Sequence, residues 1–267
     1  MTKNRRQSGK FDPEGLPHYQ QLLDGTDWAS LATVSGTGES LPAALARLLD
    51  PDPAVRADAA RNALGEVTHQ NTIYEATVPV ALYIAAILGQ PDITAGDFGL
   101  DAAVPSRPPT LVRLLSWLSD TAYDADDECV AIGERDYGER FLHEYEEMRA
   151  FRDLRPAIFS AVQPLLGHES AEARDAALVA AISLAEHPLL TEHRGELVDH
   201  ARRLLAGSTD RHNRDRVLDA LNTWGHDTSD LENAADVAAR ERHARLRAER
   251  ASWGGNWTGE YSEDPPF

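Results

Sequence analysis

The chain is poor in cysteine and in long apolar runs. Its one cysteine, Cys129, excludes a disulfide within the chain and a zinc site built on cysteine ligands. No stretch of about 18 apolar residues is present, so we expect no membrane-spanning helix. Residues 1–17 carry charges but no apolar core, which is unlike a secretory signal. We therefore expect a cytoplasmic protein.

Positive charge is also scarce. The chain has 26 Lys and Arg against 44 Asp and Glu, which gives a formal net charge of −18. Proteins that bind nucleic acid or anionic membranes need a basic surface, so we expect neither as a partner. A protein with a basic surface is the complementary partner. A hydrophobic fraction of 42% is enough to build a buried core.

Motifs for catalysis and metal binding are missing. The sequence contains no G-x-S-x-G, Walker or G-x-G-x-x-G motif. Residues 124–129 begin like an EF-hand loop, but Cys129 occupies the glycine position. The helix motif that starts at His143 lacks the second histidine of a zinc protease, and His193 and His200 have no third ligand at a suitable spacing. We expect no catalytic residue, no metal and no cofactor.

Three stretches share one pattern of two helices joined by a turn. In LPAALARLLDPDPAVRADAARNALGEV, residues 41–67, apolar residues recur at the i, i+3, i+4, i+7 spacing of a helix on both sides of a proline-containing turn. Residues 155–185 and 196–224 repeat the pattern. The repetition predicts stacked helix pairs with a period of about 40 residues.

The second helix of each pair begins in the same way. An Asp or Ser suited to cap the helix precedes an arginine by four residues. The pairs are Asp52 and Arg56, Ser170 and Arg174, and Asp210 and Arg214. We expect each arginine to reach a carboxylate of the neighbouring unit, and two irregular units to lie between Arg56 and Arg174.

The stretches LLDPDPAVRADAARNAL and LLGHESAEARDAALVAA resemble HEAT repeats. The region from Trp28 through HQNTIYEAT resembles a group of bacterial HEAT-like proteins. The resemblance implies an all-α, right-handed α-α superhelix, a HEAT/armadillo-like solenoid of about 4–5 repeats over residues 26–230. It further implies a non-enzymatic interaction scaffold or adaptor for a protein partner, with an immunity-type protein that neutralises a basic toxin as one form. The alternative is a HEAT-like enzyme, similar to DNA glycosylases or bilin lyases, which the acidity and the missing motifs disfavour.

The rest of the chain departs from the repeat pattern. Residues 1–25 are predicted to be flexible, and residues 89–150 form an irregular acidic insert within the solenoid. In this insert the pattern predicts a helix at Leu111–Ala122 and one modest helix at about 138–150. Residues 231–250 are predicted to form a polar terminal helix, and residues 251–267 a flexible aromatic tail.

The most unusual segment spans residues 120–147. It holds 11 acidic residues against two arginines, so its balance of −9 is half of the net charge. One interpretation is a patch that docks a basic partner, and the other is a solvated surface that keeps the protein soluble. Aromatic residues among the charges favour the first. The candidate partner-binding residues here are Asp124, Asp126, Asp127, Glu128, Asp136, Glu139, Glu144, Tyr145 and Glu147.

The aromatic tail contributes two further candidates, Trp253 and Trp257. Together with Tyr261 and Phe267 they give a short segment of four aromatic residues. Such a segment either docks on a partner and orders on binding, or folds back onto its own chain.

The polar stretch EVTHQNTIYEAT, residues 66–77, lies between two apolar helices. We interpret it as a repeat junction, in preference to a binding site centred on His69 and Gln70. Asn71 is suited to the left-handed residue that ends the first helix. Thr72 and Glu75 have the spacing of a capping box for the next helix.

Overall fold

The computed structural model describes residues 16–94 and 108–253, with the side chains of His243 and residues 246–253 outside that description. Regular structure within these ranges is helical, and the extended pairings there are two isolated bridges, Ala32–Thr37 and His69–Thr72. No helix in the described part is both long and apolar enough to cross a membrane. The all-α class predicted from the sequence is confirmed.

The α-helices are α1 (Tyr19–Gly25), α2 (Leu41–Ala46), α3 (Pro53–Gly65), α4 (Thr77–Ile87), α5 (Pro91–Thr94), α6 (Thr110–Asp124), α7 (Asp127–Tyr137), α8 (Phe141–Glu144), α9 (Glu146–Val162), α10 (Ala171–Leu184), α11 (Arg194–Gly207), α12 (Arg211–Thr223) and α13 (Ala234–Trp253). Short 3-10 helices are Trp28–Ser30, Gly38–Ser40, Arg47–Leu49, Gln163–Gly167 and Pro188–His193.

The chain divides into two compact units, Met1–Leu204 and Leu205–Phe267. In the first unit the helices pack in two rows: α1 contacts α4 and α4 contacts α9, while α3 contacts α6 and α6 contacts α10. Contacts of α9 with α6 and α10 join the rows, and α2 packs on α3. The core lies between them.

Apolar patterning explains this packing. Helix α6 is amphipathic, and its predicted inward residues Leu111, Leu114, Leu115 and Leu118 are all fully buried. Helix α10 is apolar almost all round, as expected for a helix with neighbours on several sides. Its run of small residues, Ala176, Ala177, Ala180 and Ala181, is buried against those neighbours.

The repeated Asp/Ser and Arg pairs have a local structural role. Asp52, Ser170 and Asp210 cap α3, α10 and α12, as predicted. Arg56 and Arg174 each donate from Nη1 to two carbonyl oxygens of the preceding turn, at 2.7–3.1 Å. The prediction that these two arginines reach a neighbouring carboxylate is wrong, because each one satisfies the carbonyls left unpaired where its own first helix ends.

In the second unit the third arginine does reach a carboxylate. The Nη2 of Arg214 lies 2.5 Å from Oδ2 of Asp236, in the first turn of α13. Asn233 and Asp236 form a reciprocal cap: Asn233 Oδ1 accepts from the Asp236 N–H at 3.0 Å, and Asp236 Oδ2 accepts from the Asn233 N–H at 2.8 Å. The start of α13 is therefore fixed to α12 by a buried ion pair.

The acidic region differs from the prediction of one modest helix at about 138–150. Three helices are present, because Gly138, with φ of 103°, ends α7 and α9 begins only at Glu146. Two irregular units were predicted here, but each row has only one helix, α4 or α6. Among the described residues of this stretch, the other helices are α5, α7 and α8. The sequence pattern missed α7 because the helix buries little, mainly Val130 and Gly133.

The ends of the chain also extend the predictions. Helix α1 lies within the segment predicted to be flexible, where the Tyr19 ring meets Tyr83 of α4 edge to face at 6.2 Å. The predicted terminal helix is present as α13. Residues 1–15 of the predicted flexible segment and residues 254–267 of the predicted tail lie outside the described residues.

Candidate functional site

Helices α7 and α8 form a short hairpin, residues 126–145, which we name the acidic hairpin. Asp126 caps α7 by accepting from the Cys129 N–H at 2.6 Å. At the far end, Gly138 donates to the Glu134 carbonyl and accepts from the Phe141 N–H, both at 2.9 Å. The hairpin is therefore closed by backbone geometry that only glycine adopts readily at its turn.

Aromatic rings hold the two helices of the acidic hairpin together. Phe141 packs directly on Gly133, where an added Cβ would lie 2.3 Å from the ring. Its ring stacks on Tyr137 at 5.8 Å and meets Tyr145 edge to face at 5.6 Å. Tyr137 lies at the outer end of this series and is 81% exposed. The hairpin therefore presents a large aromatic side chain among its acids.

Tyr145 joins the acidic hairpin to the rest of the first unit. Its hydroxyl accepts from the Ile73 N–H at 2.8 Å and donates to the Ile73 carbonyl at 2.9 Å. Burial is the main cause that raises the pKa of Tyr145, so the hydroxyl keeps its proton. This predicted partner-binding residue is thus already engaged within the chain.

The base of the acidic hairpin is held by three arginines of α9, which are Arg149, Arg152 and Arg155. Arg149 donates to the His143 carbonyl at 2.6 Å, and Arg152 contacts the Asp127 carboxylate at 2.5 Å. Arg155, fully buried, donates to the carbonyls at the end of α6 at 2.7–2.8 Å. Cations are favoured at a helix C-terminus, so these contacts fix where α6 ends and the hairpin begins.

An ion pair between the buried Arg155 and the half-buried Glu186 lies beneath this contact. Nη1 of Arg155 is 3.3 Å from Oε2 of Glu186. Burial lowers the pKa of Arg155 and raises that of Glu186. The charge of Glu186 partly offsets the first shift, and the charge of Arg155 partly offsets the second. A pair of this kind fixes geometry more than it adds net stability. It holds α9 and the residues after α10 in register at the base of the hairpin.

The structure divides the predicted partner-binding residues into groups. Asp126 and Tyr145 have structural roles, and Asp127 pairs with Arg152. Trp253 is the last residue of α13, and Trp257 lies outside the described residues. The remaining candidates lie on or beside the hairpin: Glu128, Asp136, Glu139 and Glu144 are exposed, and Asp124 and Glu147 are half-buried.

Sequence reasoning missed the three arginines of α9. They lie just beyond the acidic segment, in RAFRDLR at residues 149–155, and their spacing of three residues places them on one helix face. That spacing was a usable signal. The outward position of Tyr137 had no such signal, since Phe141 and Tyr145 look similar in sequence and are half-buried.

The junction between α3 and α4 lies at the base of the acidic hairpin, because Tyr145 binds Ile73. Gln70 and Asn71 have φ of 49° and 60°, so the predicted left-handed Asn71 is confirmed, and both residues are exposed. The predicted capping box is wrong, because α4 begins at Thr77 and Glu75 instead accepts from the Ala32 N–H at 2.9 Å.

Other candidate chemistry has structural explanations. Burial and the neighbouring Asp126 raise the pKa of Cys129 to about 12, which opposes thiolate chemistry. His193 packs on the Phe159 ring at 4.8 Å. Across residues 16–94 and 108–253, no group of three His, Cys, Asp or Glu residues is placed to hold a metal ion.

Comparison of the chain with family models, with curated proteins and with solved structures finds no match.

Proposed function

We propose that this chain is a HEAT-like α-solenoid that binds a basic protein partner through the acidic hairpin and acts without catalysing a reaction. The two rows of helices in the first unit support the solenoid assignment, since HEAT-type repeats stack pairs in this order. The three capped second helices with their turn-closing arginines support it as well.

One observation carries the binding proposal: the acidic hairpin is additional to the packed rows and exposes Tyr137 among its acids. Charge of one sign speeds the encounter with an oppositely charged protein, and an exposed aromatic side chain supplies the contact area that charges lack. The hairpin is also fixed at its base by Tyr145 and the arginines of α9. A fixed surface loses less conformational entropy on binding.

The acidity favours one class of partner, a protein with a basic cleft. Nuclease toxins have such clefts, because they bind phosphates. An immunity-type role, in which the hairpin covers the cleft, is the specific form of the proposal. It rests on charge and on the resemblance to bacterial HEAT-like proteins.

The test replaces three exposed acids by lysine at the outer end of the hairpin, in the variant Glu134→Lys, Asp136→Lys, Glu139→Lys. These positions lie at or just after the C-terminus of α7, where lysine is compatible with the helix dipole. Asp126 and Asp127 are left intact, because changing them would disturb the hairpin itself. A matched variant makes the same charge change at exposed acids elsewhere in the unit, at Glu39, Glu172 and Glu192.

Each full-length variant is immobilised and exposed to lysate from the source cells at about 50 and 500 mM salt, a range over which exposed charge pairs weaken strongly. Retained proteins are identified and their affinities measured. We expect a basic protein that is held at low salt by the unmodified chain and by the matched variant, and is lost with the hairpin variant. Equal retention by both variants would refute the proposal.

A further inference from the structure

Tyr137 is the most exposed large apolar side chain in the described part of the chain, and its ring is held in a fixed orientation. Phe141 stacks on one face of the ring, with centroids 5.8 Å apart and an angle of 21° between the ring planes. Phe141 is itself wedged between Gly133 and the edge-to-face ring of Tyr145. Because the Tyr137 side chain is 81% exposed, the ring face that Phe141 does not cover is open to solvent.

Two unpaired carboxylates flank Tyr137 in the chain. Glu134 precedes Tyr137 by three residues in α7, which places both side chains on one face of the helix. Glu139 follows Tyr137 by two residues, just past the turn at Gly138. Neither carboxylate has an ion-pair partner among the residues that the structure describes. Both are therefore able to accept hydrogen bonds from a cation of another molecule.

The arginines of the acidic hairpin are engaged with other acids. The Nε of Arg135 lies 3.0 Å from Oδ1 of Asp136, and the Nε of Arg140 lies 3.2 Å from Oε1 of Glu144. These pairs leave the open face of the ring and the two flanking glutamates to an outside ligand. The tip of the hairpin, residues 134–139, has three acids against one arginine, so its charge favours a cation.

An aromatic face beside unpaired carboxylates suits a guanidinium group better than an ammonium group. A guanidinium is planar and weakly hydrated, so it stacks on an aromatic ring while the N–H groups at its edge bind a carboxylate. An ammonium group is compact and strongly hydrated, so it gains less from a solvent-exposed ring. The arrangement at Tyr137 therefore distinguishes two side chains of equal charge, arginine and lysine.

We propose that an arginine side chain of the basic partner stacks on the open face of Tyr137 and donates to the carboxylates of Glu134 and Glu139. The inference rests on the proposed function, because it names the group through which the acidic hairpin recognises a basic protein. The hairpin then selects partners that present an exposed arginine, and it binds a lysine-rich surface of the same charge more weakly.

The test titrates the full-length chain with a peptide of about six arginines and with a lysine peptide of the same length, at about 150 mM salt. The amide resonances of the acidic hairpin report binding. We expect the arginine peptide to bind about two- to fivefold more tightly than the lysine peptide, which is the gain from one exposed contact between a guanidinium and an aromatic ring. Tyr137→Leu should lose this preference, because leucine is apolar but has no aromatic face. Tyr137→Phe should keep it.

Glu128→Gln is the matched control for Glu134→Gln. Glu128 is exposed and precedes Tyr137 by about two and a half helical turns, so it lies on the opposite face of α7. Glu134→Gln should weaken binding of the arginine peptide about twofold, and Glu128→Gln should leave it unchanged. Equal affinities for the two peptides, or a preference that persists in Tyr137→Leu, would overturn the inference and leave the proposed function in place. Hairpin resonances that respond to neither peptide would overturn both.

Discussion

Asp236 is the residue whose removal should reduce the stability of the second unit most. Its side chain is 2% exposed and forms a reciprocal cap with Asn233. It also accepts from Arg214 at 2.5 Å and from Arg211 at 2.7 Å. One carboxylate therefore caps α13 and balances two arginines of α12.

The magnitude for Asp236→Ala follows from these contacts. Arg214, 3% exposed, would be left as a buried cation, and breaking such a pair costs about 3–5 kcal/mol. Loss of the cap adds about 1 kcal/mol. Arg214 would keep its bonds to the carbonyls of Leu205, Ser208 and Leu231, which reduces the penalty. We expect a total of about 3–4 kcal/mol, toward the lower end of the range for a broken buried pair.

The assay is amide exchange under increasing urea, followed separately for residues 205–253. A single unfolding free energy does not describe a chain with two compact units. Asp215→Ala is the matched control: it removes an aspartate that pairs with Arg211 four residues away, with both side chains about one-third exposed. That pair contributes about 0.5 kcal/mol.

The pH dependence has a definite sign. The hydrogen bond from Arg214 lowers the pKa of Asp236 below its ordinary 3.8. The contribution of Asp236 is therefore complete above pH 3.8 and is lost as the pH falls through the lowered folded value. Asp236→Asn should lack this dependence. A cost for Asp236→Ala no larger than that for Asp215→Ala would refute the reasoning.

Three further predictions concern the acidic hairpin. Tyr145→Phe removes both hydrogen bonds to Ile73 and should destabilise the acidic hairpin by about 1–2 kcal/mol, which amide exchange in the hairpin measures. Tyr137→Phe, the control, should change the stability of the hairpin by less than about 0.5 kcal/mol. Gly133→Ala should lower the stability of the first unit by about 1–3 kcal/mol, because the added methyl group meets the Phe141 ring of α8. Gly65→Ala, where the added methyl group meets no other atom, should not lower it, and thermal unfolding of the two variants measures the difference. Cys129 should react with iodoacetamide at pH 8 roughly 1000-fold more slowly when folded than in denaturant, and equal rates would contradict its raised pKa.

The repeated helix pairs were predictable because their signals are local. Apolar spacing, a proline-containing turn and a capping residue act within one or two helical turns. The residues that carry those signals, such as Leu45, Ala63 and Leu118, are buried as predicted. The capping residues Asp52, Ser170 and Asp210 also perform the predicted role, since a cap binds backbone groups only two or three residues away.

The acidic hairpin was predictable as a charged segment but not as a structure. Helix α7 buries too few side chains to give a clear helical pattern, and its packing depends on one contact between Gly133 and Phe141. The difference between Tyr137, which is exposed, and Tyr145, which is bonded to Ile73, depends on a residue 72 positions earlier in the chain. No local pattern carries that information.

The sequence by itself determined the all-α class, the helix pairs, their caps and the location of half the net charge, because each depends on composition or on neighbours within a few residues. Only the tertiary structure decided which acids are exposed and which act as caps, that the arginines of α9 hold the hairpin, and that Arg214 meets Asp236. The contacts of Arg152, Arg155 and Arg214 join residues 22 or more positions apart. Their partners are selected by helix packing, which brings distant charges together once the apolar faces are buried.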